Sequence, residues 1–456
     1  MAADWHRLQA MLVRTALLAS SVFLGTAMLQ TQQPAQLDSL LDGKGPASLK
    51  IAAPIQELFD KGSEDEAISV PGTVTFKDPA SGAEVVLADV AVSVRGHTSR
   101  RETECTFPKL KLKLKGHGSL KIGTHCGEAG DDALSAKYGR LSNEKSPWRE
   151  ALVYDLLRAV EAPTLKTRPA RITYVDPALP QPLERNALLL EDDDDAMKRV
   201  GGTAELPMES FGSVATRGAG GDAARIAFAQ AMIGNFDWCL KFSPDDIYRC
   251  NEPKPLWNVL AFDRGGNQAT LLMKDFDLSG IVVGRHGWFD KVWNRAFVPS
   301  KAEPEIEVLS QVQRTRSLFP RAQLDAERKH FVDRKPAVLA AIDAAPADER
   351  GRALARAYVN AFYAAIASDD DYYRPIVARS DVQVFLDAEG TKEACGPRDV
   401  MRSGTPVNEL RRSGSMSQVV MLDAMWRWAS RNECHAVQDG PVWIPSAAIV
   451  RNFPAR

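Results

Sequence analysis

The chain has 456 residues, 45% of them hydrophobic and 25% charged, with a net charge of −2. That length exceeds what one hydrophobic core accommodates, so two or more domains are expected. The balanced charge excludes the broad basic field of a nucleic-acid binder, and no nucleic-acid partner is expected.

In chain order, Arg7 and Arg14 precede an apolar run from Ala16 to Leu29. The run is short for a span of ~20 residues and suits the apolar region of an export signal. Residues 1–30 therefore read as a signal peptide or an uncleaved N-terminal anchor, the one membrane association expected. Either places the remainder in the periplasm or outside the cell. Residues 31–47 read as a polar linker. Five β-like runs follow: Leu49–Ile55, Gly72–Phe76, Glu84–Val94, Leu110–Leu114 and Leu120–Ile122. Ser146-Pro147-Trp148 opens a helix with Ser as N-cap and Pro in the first turn, and Leu152, Leu156, Leu157 and Val160 give it an apolar stripe. Arg171–Val175 and Ala187–Leu190 are short strands, 222–236 is an apolar helix, and Leu256–Phe262 pairs with Thr270–Met273 across a Gly-rich turn. Residues 303–367 read as helical. After Asp369-Asp370-Asp371 the pattern returns to short strands: Arg379–Leu386, Thr405–Leu410, Val419–Trp428 and Val442–Ile444.

Six cysteines lie after the export segment, and six allow 15 connectivities. Short loops favour Cys105–Cys126, Cys239–Cys250 and Cys395–Cys434, in keeping with an oxidising compartment. No Cys-x-x-Cys spacing supports zinc.

Two segments carry the chemistry: Gly234-Asn235-Phe236-Asp237-Trp238 and Lys274-Asp275-Phe276-Asp277. Phosphoryl transfer needs one carboxylate to orient a hydroxyl and another to hold Mg²⁺. Asp275 and Asp277 are spaced to face one side of a strand end, where they repel unless a cation lies between them. Upstream, Lys109, Lys111, Lys113 and Lys115 alternate along a β-like run. A lysine strand, an acid after a helix and a paired acid after a strand follow the order of parts in a kinase. Each has a plainer reading. The lysines suit the solvated face of an edge strand, Asp237 suits a loop acid, and Asp192–Asp195 suits a solvated turn. His97, His125 and His286 show no ligand spacing. Hydrolase and P-loop motifs are absent from the sequence.

Residues 90–290 resemble a bacterial subgroup of the CotH-type secreted and spore-coat kinases. The likeness rests on Val94-Arg95-Gly96-His97-Thr98-Ser99, on Pro108-Lys109-Leu110-Lys111-Leu112, on Leu188-Leu189-Leu190-Glu191-Asp192 and on the two acidic segments. The resemblance implies a protein-kinase-like α+β domain over 48–367. It implies that Arg95 and Ser99 line the turn that replaces a glycine-rich loop. It gives Lys111 the nucleotide phosphates, with Lys109 the alternative, and pairs Glu150 with that lysine. Glu191 would sit at the nucleotide edge, Asp237 would orient the acceptor, and Asp275 and Asp277 would bind Mg²⁺ or Mn²⁺. The chain departs from the family where a metal-binding Asn is expected after the catalytic acid: Asp245 and Asp246 stand there, and Asp246 is the candidate third ligand.

Residues 375–456 resemble a bacterial SH3-like module, a small all-β barrel, through Gly404-Thr405-Pro406-Val407, Trp426, Trp428 and Gly440-Pro441-Val442-Trp443-Ile444-Pro445. The sequence thus points to an exported kinase that transfers the ATP γ-phosphate to a protein hydroxyl, its own chain included. The alternative is an inert binding protein whose SH3-like domain docks on the cell wall or on a protein of the envelope. That alternative gains from the Asn-to-Asp departure and from the scarcity of ATP outside the cytosol.

Overall fold

The computed structural model describes residues 37–62, 68–96, 99–100, 105, 107–124, 126, 144–206, 220–235, 237–241, 256–266, 268–284, 304, 308, 311–312, 315–316, 319–373, 376–377, 382–394, 400–401, 407–421 and 441–450. The expected export segment, Asp246, Trp426 and Trp428 lie outside them.

The first half of the chain is a barrel. Its elements are β1 (Ala47–Ala52), α1 (Ile55–Gly62), β2 (Ser69–Lys77), β3 (Glu84–Val94), β4 (Leu110–Lys113), β5 (Ser119–Gly123), α2 (Ser146–Ala159), β6 (Thr167–Val175) and β7 (Leu183–Leu190). The strands close in the order β1-β2-β3-β4-β5-β7-β6. Neighbours are antiparallel except at the seam, where β6 runs parallel to β1 with Ala47 opposite Ala170. A parallel seam needs a long crossover, supplied by everything between β1 and β6. Period-two burial drives closure. In β4, Leu110 and Leu112 are fully buried while Lys111 and Lys113 point away. β4 is paired on both sides, to β3 and to β5, so the lysine run is not an edge strand.

The second half packs helices and a small sheet. It contains α3 (Asp193–Arg199), β8 (Ala204–Glu205), α4 (Gly220–Met232), β9 (Cys239–Leu240), β10 (Leu256–Trp257), β11 (Val259–Asp263), β12 (Ala269–Met273), α5 (Gly280–Val283), α6 (Arg321–Ala344), α7 (Glu349–Ala365) and α8 (Asp369–Tyr372). The sheet runs β12-β11-β8. One apolar core joins α2, α4, α5, α6, α7, β11 and β12, and within it Phe228 packs against Phe331, Phe362 and Tyr372 in tilted and edge-to-face pairs. Within the expected helical stretch 303–367, α6 and α7 are separated where Pro346 disfavours a helical Ala345. No helix of the described residues is long and apolar enough to cross a membrane.

Beyond α8 come β13 (Ile376–Val377), β14 (Val382–Gln383), β15 (Val400–Met401), β16 (Val407–Ser413), β17 (Met416–Met421), β18 (Val442–Pro445) and β19 (Ile449–Val450). They form a three-stranded β16-β17-β18 sheet and two separate two-stranded ladders, β13-β19 and β14-β15.

This architecture corrects the expected fold class of a kinase-like domain followed by a small SH3-like barrel. The closed barrel is the seven-stranded mixed one in the first half. The C-terminal strands lie in several small sheets around a core of Val382, Val384, Met401, Val407, Val419, Val442 and Ile444. Local alternation signalled strands in both halves, but it carries no information on which strands pair. The parallel closure of β6 on β1 decides the fold, and it joins segments more than a hundred residues apart.

Candidate functional site

The site forms where the approach to β4 meets the end of the β11–β12 hairpin and the first turns of α2. Lys109 enters from the barrel, its carbonyl accepting the Arg95 N–H at 2.8 Å. Its ammonium lies 2.6 Å from Asp275 Oδ1 and 3.1 Å from Asp277 Oδ2. The Lys109 side chain is only 11% exposed, whereas those of Asp275 and Asp277 are 40% and 31% exposed. The two acids thus share one cation and keep part of their surface open to solvent.

α2 supplies the floor. Glu150 and Tyr154 are four residues apart and so lie on one helix face. The Phe276 N–H donates to Glu150 Oε1 at 3.2 Å, and the Asp275 N–H donates to the Tyr154 hydroxyl at 3.3 Å. Tyr154 and Phe276 pack edge to face, centroids 4.9 Å apart. These contacts over-determine a backbone that Asp275 holds at φ 63°, the left-handed region that non-glycine residues seldom adopt.

The electrostatics follow from that burial. Desolvation works against the Lys109 ammonium, but Asp275, Asp277 and Glu150 outweigh it and hold its pKa above the usual lysine value. Burial, helped by Asp277 and Asp275 and opposed by Lys109, pushes the Glu150 carboxyl up to about 7. Burial also acts on Asp275, but the Lys109 charge and hydrogen bond hold it down to about 2. Tyr154, fully buried beside these acids, is raised well above an ordinary phenol.

Asp237 stands alongside. Gly234 ends α4 at φ 63°, and a Cβ there would lie 2.2 Å from the Tyr358 ring. Asn235, fully buried, donates to Gln230 Oε1 at 2.9 Å and accepts the Asp237 N–H at 3.1 Å. The carboxylate receives two further donors. Trp257 Nε1 donates to Oδ1 at 2.9 Å, and Asn258 Nδ2 donates to Oδ2 at 3.0 Å and to the Asp237 carbonyl at 2.7 Å. Asn258 also accepts the Lys274 N–H at 3.1 Å, so one residue links the Asp237 turn to the Asp275 turn.

Lys109, Glu150, Asp275 and Asp277 therefore come together, with Asp237 joined through Asn258. Arg95 adds a positive field at Asp275, and its buried Nε has no hydrogen-bond partner among the described residues. Three expected residues are placed otherwise. Lys111 pairs with Asp192 at 2.5 Å, outside the acid trio. Glu191 is held by both Arg199 nitrogens at 2.8 Å and by the Lys166 N–H at 2.9 Å. Ser99 is buried and donates to the Arg95 carbonyl at 3.4 Å. The acids opening α3 meet a second basic set, with Lys121 at 2.7 Å and Lys274 at 3.4 Å from Asp193 Oδ2. Sequence reasoning missed Asn258, whose one signal was an Asn splitting a β-like run.

Among the described residues no group of three or more His, Cys, Asp or Glu side chains is set to hold a metal ion. Asp275 and Asp277 are the two acids that could hold Mg²⁺ or Mn²⁺, and the cation they share is the Lys109 ammonium. Such hard ions take one or two carboxylates and complete their shell with water and substrate phosphate. No family model, curated protein or solved structure matches the chain.

Proposed function

We propose that this protein transfers the γ-phosphoryl group of ATP to an alcohol hydroxyl with the aid of Mg²⁺ or Mn²⁺. The observation that carries the reading is the buried Lys109 set against Asp275, Asp277 and Glu150, segments far apart in sequence that meet at one point. Asp275 and Asp277 are the residues that would hold the metal, which would neutralise charge on the phosphates. Lys109 and Arg95 are the cations beside those acids that would meet the phosphates. Asp237, with both oxygens oriented by N–H donors, accepts the acceptor hydroxyl's proton. The hydroxyl oxygen bonds to the γ-phosphorus as the bond from that phosphorus to the β–γ bridging oxygen breaks, and ADP departs. An exported setting is part of the reading, supported by the Cys105–Cys126 disulfide.

A second reading has one observation in its favour. Lys109 already neutralises both Asp275 and Asp277, as it would in a silent site on an envelope binding protein. In that reading the C-terminal sheets contact the cell wall or a protein partner.

Residues 31–456, purified from an oxidising compartment, separate the two. Incubation with γ-³²P-ATP and Mn²⁺ should give labelled product. Asp237→Asn should lower the rate by about 10²–10⁴-fold. Asp275→Asn, which tolerates the left-handed backbone, should remove the nucleotide-dependent thermal shift. No shift and no label in the parent protein would leave the binding reading alone.

A further inference from the structure

Trp257 is one of the few large apolar side chains of the described residues left open to solvent, at 38% exposure, and it stands against Asp237. The residue is fixed through its ring edge, its backbone and its neighbour. Its indole N–H is used by Asp237 Oδ1. Its backbone pairs across to Cys239, itself disulfide-bonded. The next residue, Asn258, is locked at φ 53° by its bonds to Asp237 and to Lys274. A rigid, open aromatic ring loses little entropy on binding and is the usual kind of anchor for a ligand.

The rim of the ring is specific in its chemistry. The Asn258 amide nitrogen is spent on Asp237, which leaves Asn258 Oδ1 as an acceptor to which no described residue donates. Asp237, the proton acceptor of the phosphotransfer reading, stands at the indole N–H edge of the same ring. A flat apolar face bordered by acceptors fits a ligand with an apolar face and several O–H donors. A sugar ring has that form, with axial C–H groups on one face and hydroxyls around its edge. A serine side chain on a peptide would use Asp237 and leave the platform idle.

We propose that the hydroxyl acceptor is a sugar ring stacked on Trp257, an inference that rests on the phosphotransfer reading above. One sugar O–H donates to Asp237, and its oxygen takes the γ-phosphoryl group as ADP leaves and the proton passes to the carboxylate.

The test uses residues 31–456 and four probes: the methyl glycosides of glucose, galactose, mannose and N-acetylglucosamine. Saturation-transfer NMR should show at least one of them binding through its ring C–H protons. Trp257→Ala should weaken that binding about tenfold or more, and Trp257→Phe, which keeps the stacking face, should retain most of it. With ATP and Mn²⁺ the bound glycoside should become its monophosphate, read by mass spectrometry. Binding that survives Trp257→Ala, or no binding by any probe, overturns the sugar proposal. Label appearing on protein while all four glycosides stay unmodified overturns it too, yet leaves the phosphotransfer reading standing. If a glycoside binds through Trp257 but ATP with Mn²⁺ gives neither a thermal shift nor product, the phosphotransfer reading falls and takes the acceptor role with it.

Discussion

Gly234 owes its place to a neighbouring ring. Both Gly234 and Gly280 approach Tyr358 so closely that a Cβ on either would lie 2.2 Å from a ring carbon, and the Gly280 N–H donates to the Gly234 carbonyl at 3.0 Å. The ring thus clamps the end of α4 to the start of α5, and Asp237 follows directly. Gly234→Ala adds a side chain at positive φ and forces a fully packed tyrosine aside. It is expected to lower the unfolding free energy by about 2–4 kcal/mol, read by urea denaturation. A smaller loss at Gly280→Ala, whose φ is not left-handed, would separate the clash from the backbone strain. At this scale Gly234-Asn235 and Asp275-Phe276-Asp277 were legible in the sequence because small and acidic residues after apolar runs stand out. Which lysine meets the acids was not. Lys109, just before β4, and Lys111, within it, are two residues apart in one lysine run, and only tertiary packing decides that Lys111 meets Asp192 instead.

α2 organises the site from two sides. Glu150 and Tyr154 face the Asp275 turn, while Arg149, one residue earlier, points away into the helical core. There it pairs with Asp348, which precedes α7, at 2.8 and 2.7 Å. Arg149 is fully buried, so its charge depends on that partner. Burial pushes the Asp348 carboxyl up, but the Arg149 hydrogen bond and charge prevail and hold its pKa below the ordinary value. An acid with a depressed folded pKa stabilises the fold above its unfolded pKa, and the contribution fades as pH falls through the folded value. Stability should therefore decline below about pH 4 on this account. Asp348→Asn should cost about 2–4 kcal/mol near neutrality and flatten that part of the acid limb in urea titrations at several pH values. An unchanged limb in the variant would refute the assignment. Elements such as α2 were visible beforehand, since Ser146-Pro147 and the leucine stripe mark its start and buried face. The expected run Glu84–Val94 is the observed β3, residue for residue. Short strands at β8 and β9, two residues each, leave too little pattern to read. The β-like run Leu49–Ile55 takes in only the first residue of α1, and no helix is expected over the residues that follow.

Across the whole molecule, the site is a seam between the barrel, which brings Arg95 and Lys109, and the helical half, which brings Glu150, Asp237, Asp275 and Asp277. Alternation tells where strands lie, but the barrel closes by pairing Ala47 with Ala170, and this seam depends on contacts over 126 and 166 residues, which no local pattern encodes. One covalent tie steadies the barrel side. Cys105 and Cys126 are bonded across 21 residues, spanning β4 and β5, and Phe107 pairs with Cys126 just before Lys109. On the loop-entropy account a tie of that length contributes about 3 kcal/mol. It also limits how far the Lys109 segment can swing from Asp275. Replacing both cysteines with serine should therefore have two effects. The unfolding free energy should fall by about 3 kcal/mol in urea. The stabilisation that ATP and Mn²⁺ confer, about 2.7 kcal/mol for the parent at a hundredfold excess over Kd, should shrink at the same ligand concentration as affinity weakens. Equal ligand stabilisation in parent and variant, alongside the lower baseline, would show that the bond serves the barrel alone and that Lys109 is positioned by the acids it meets.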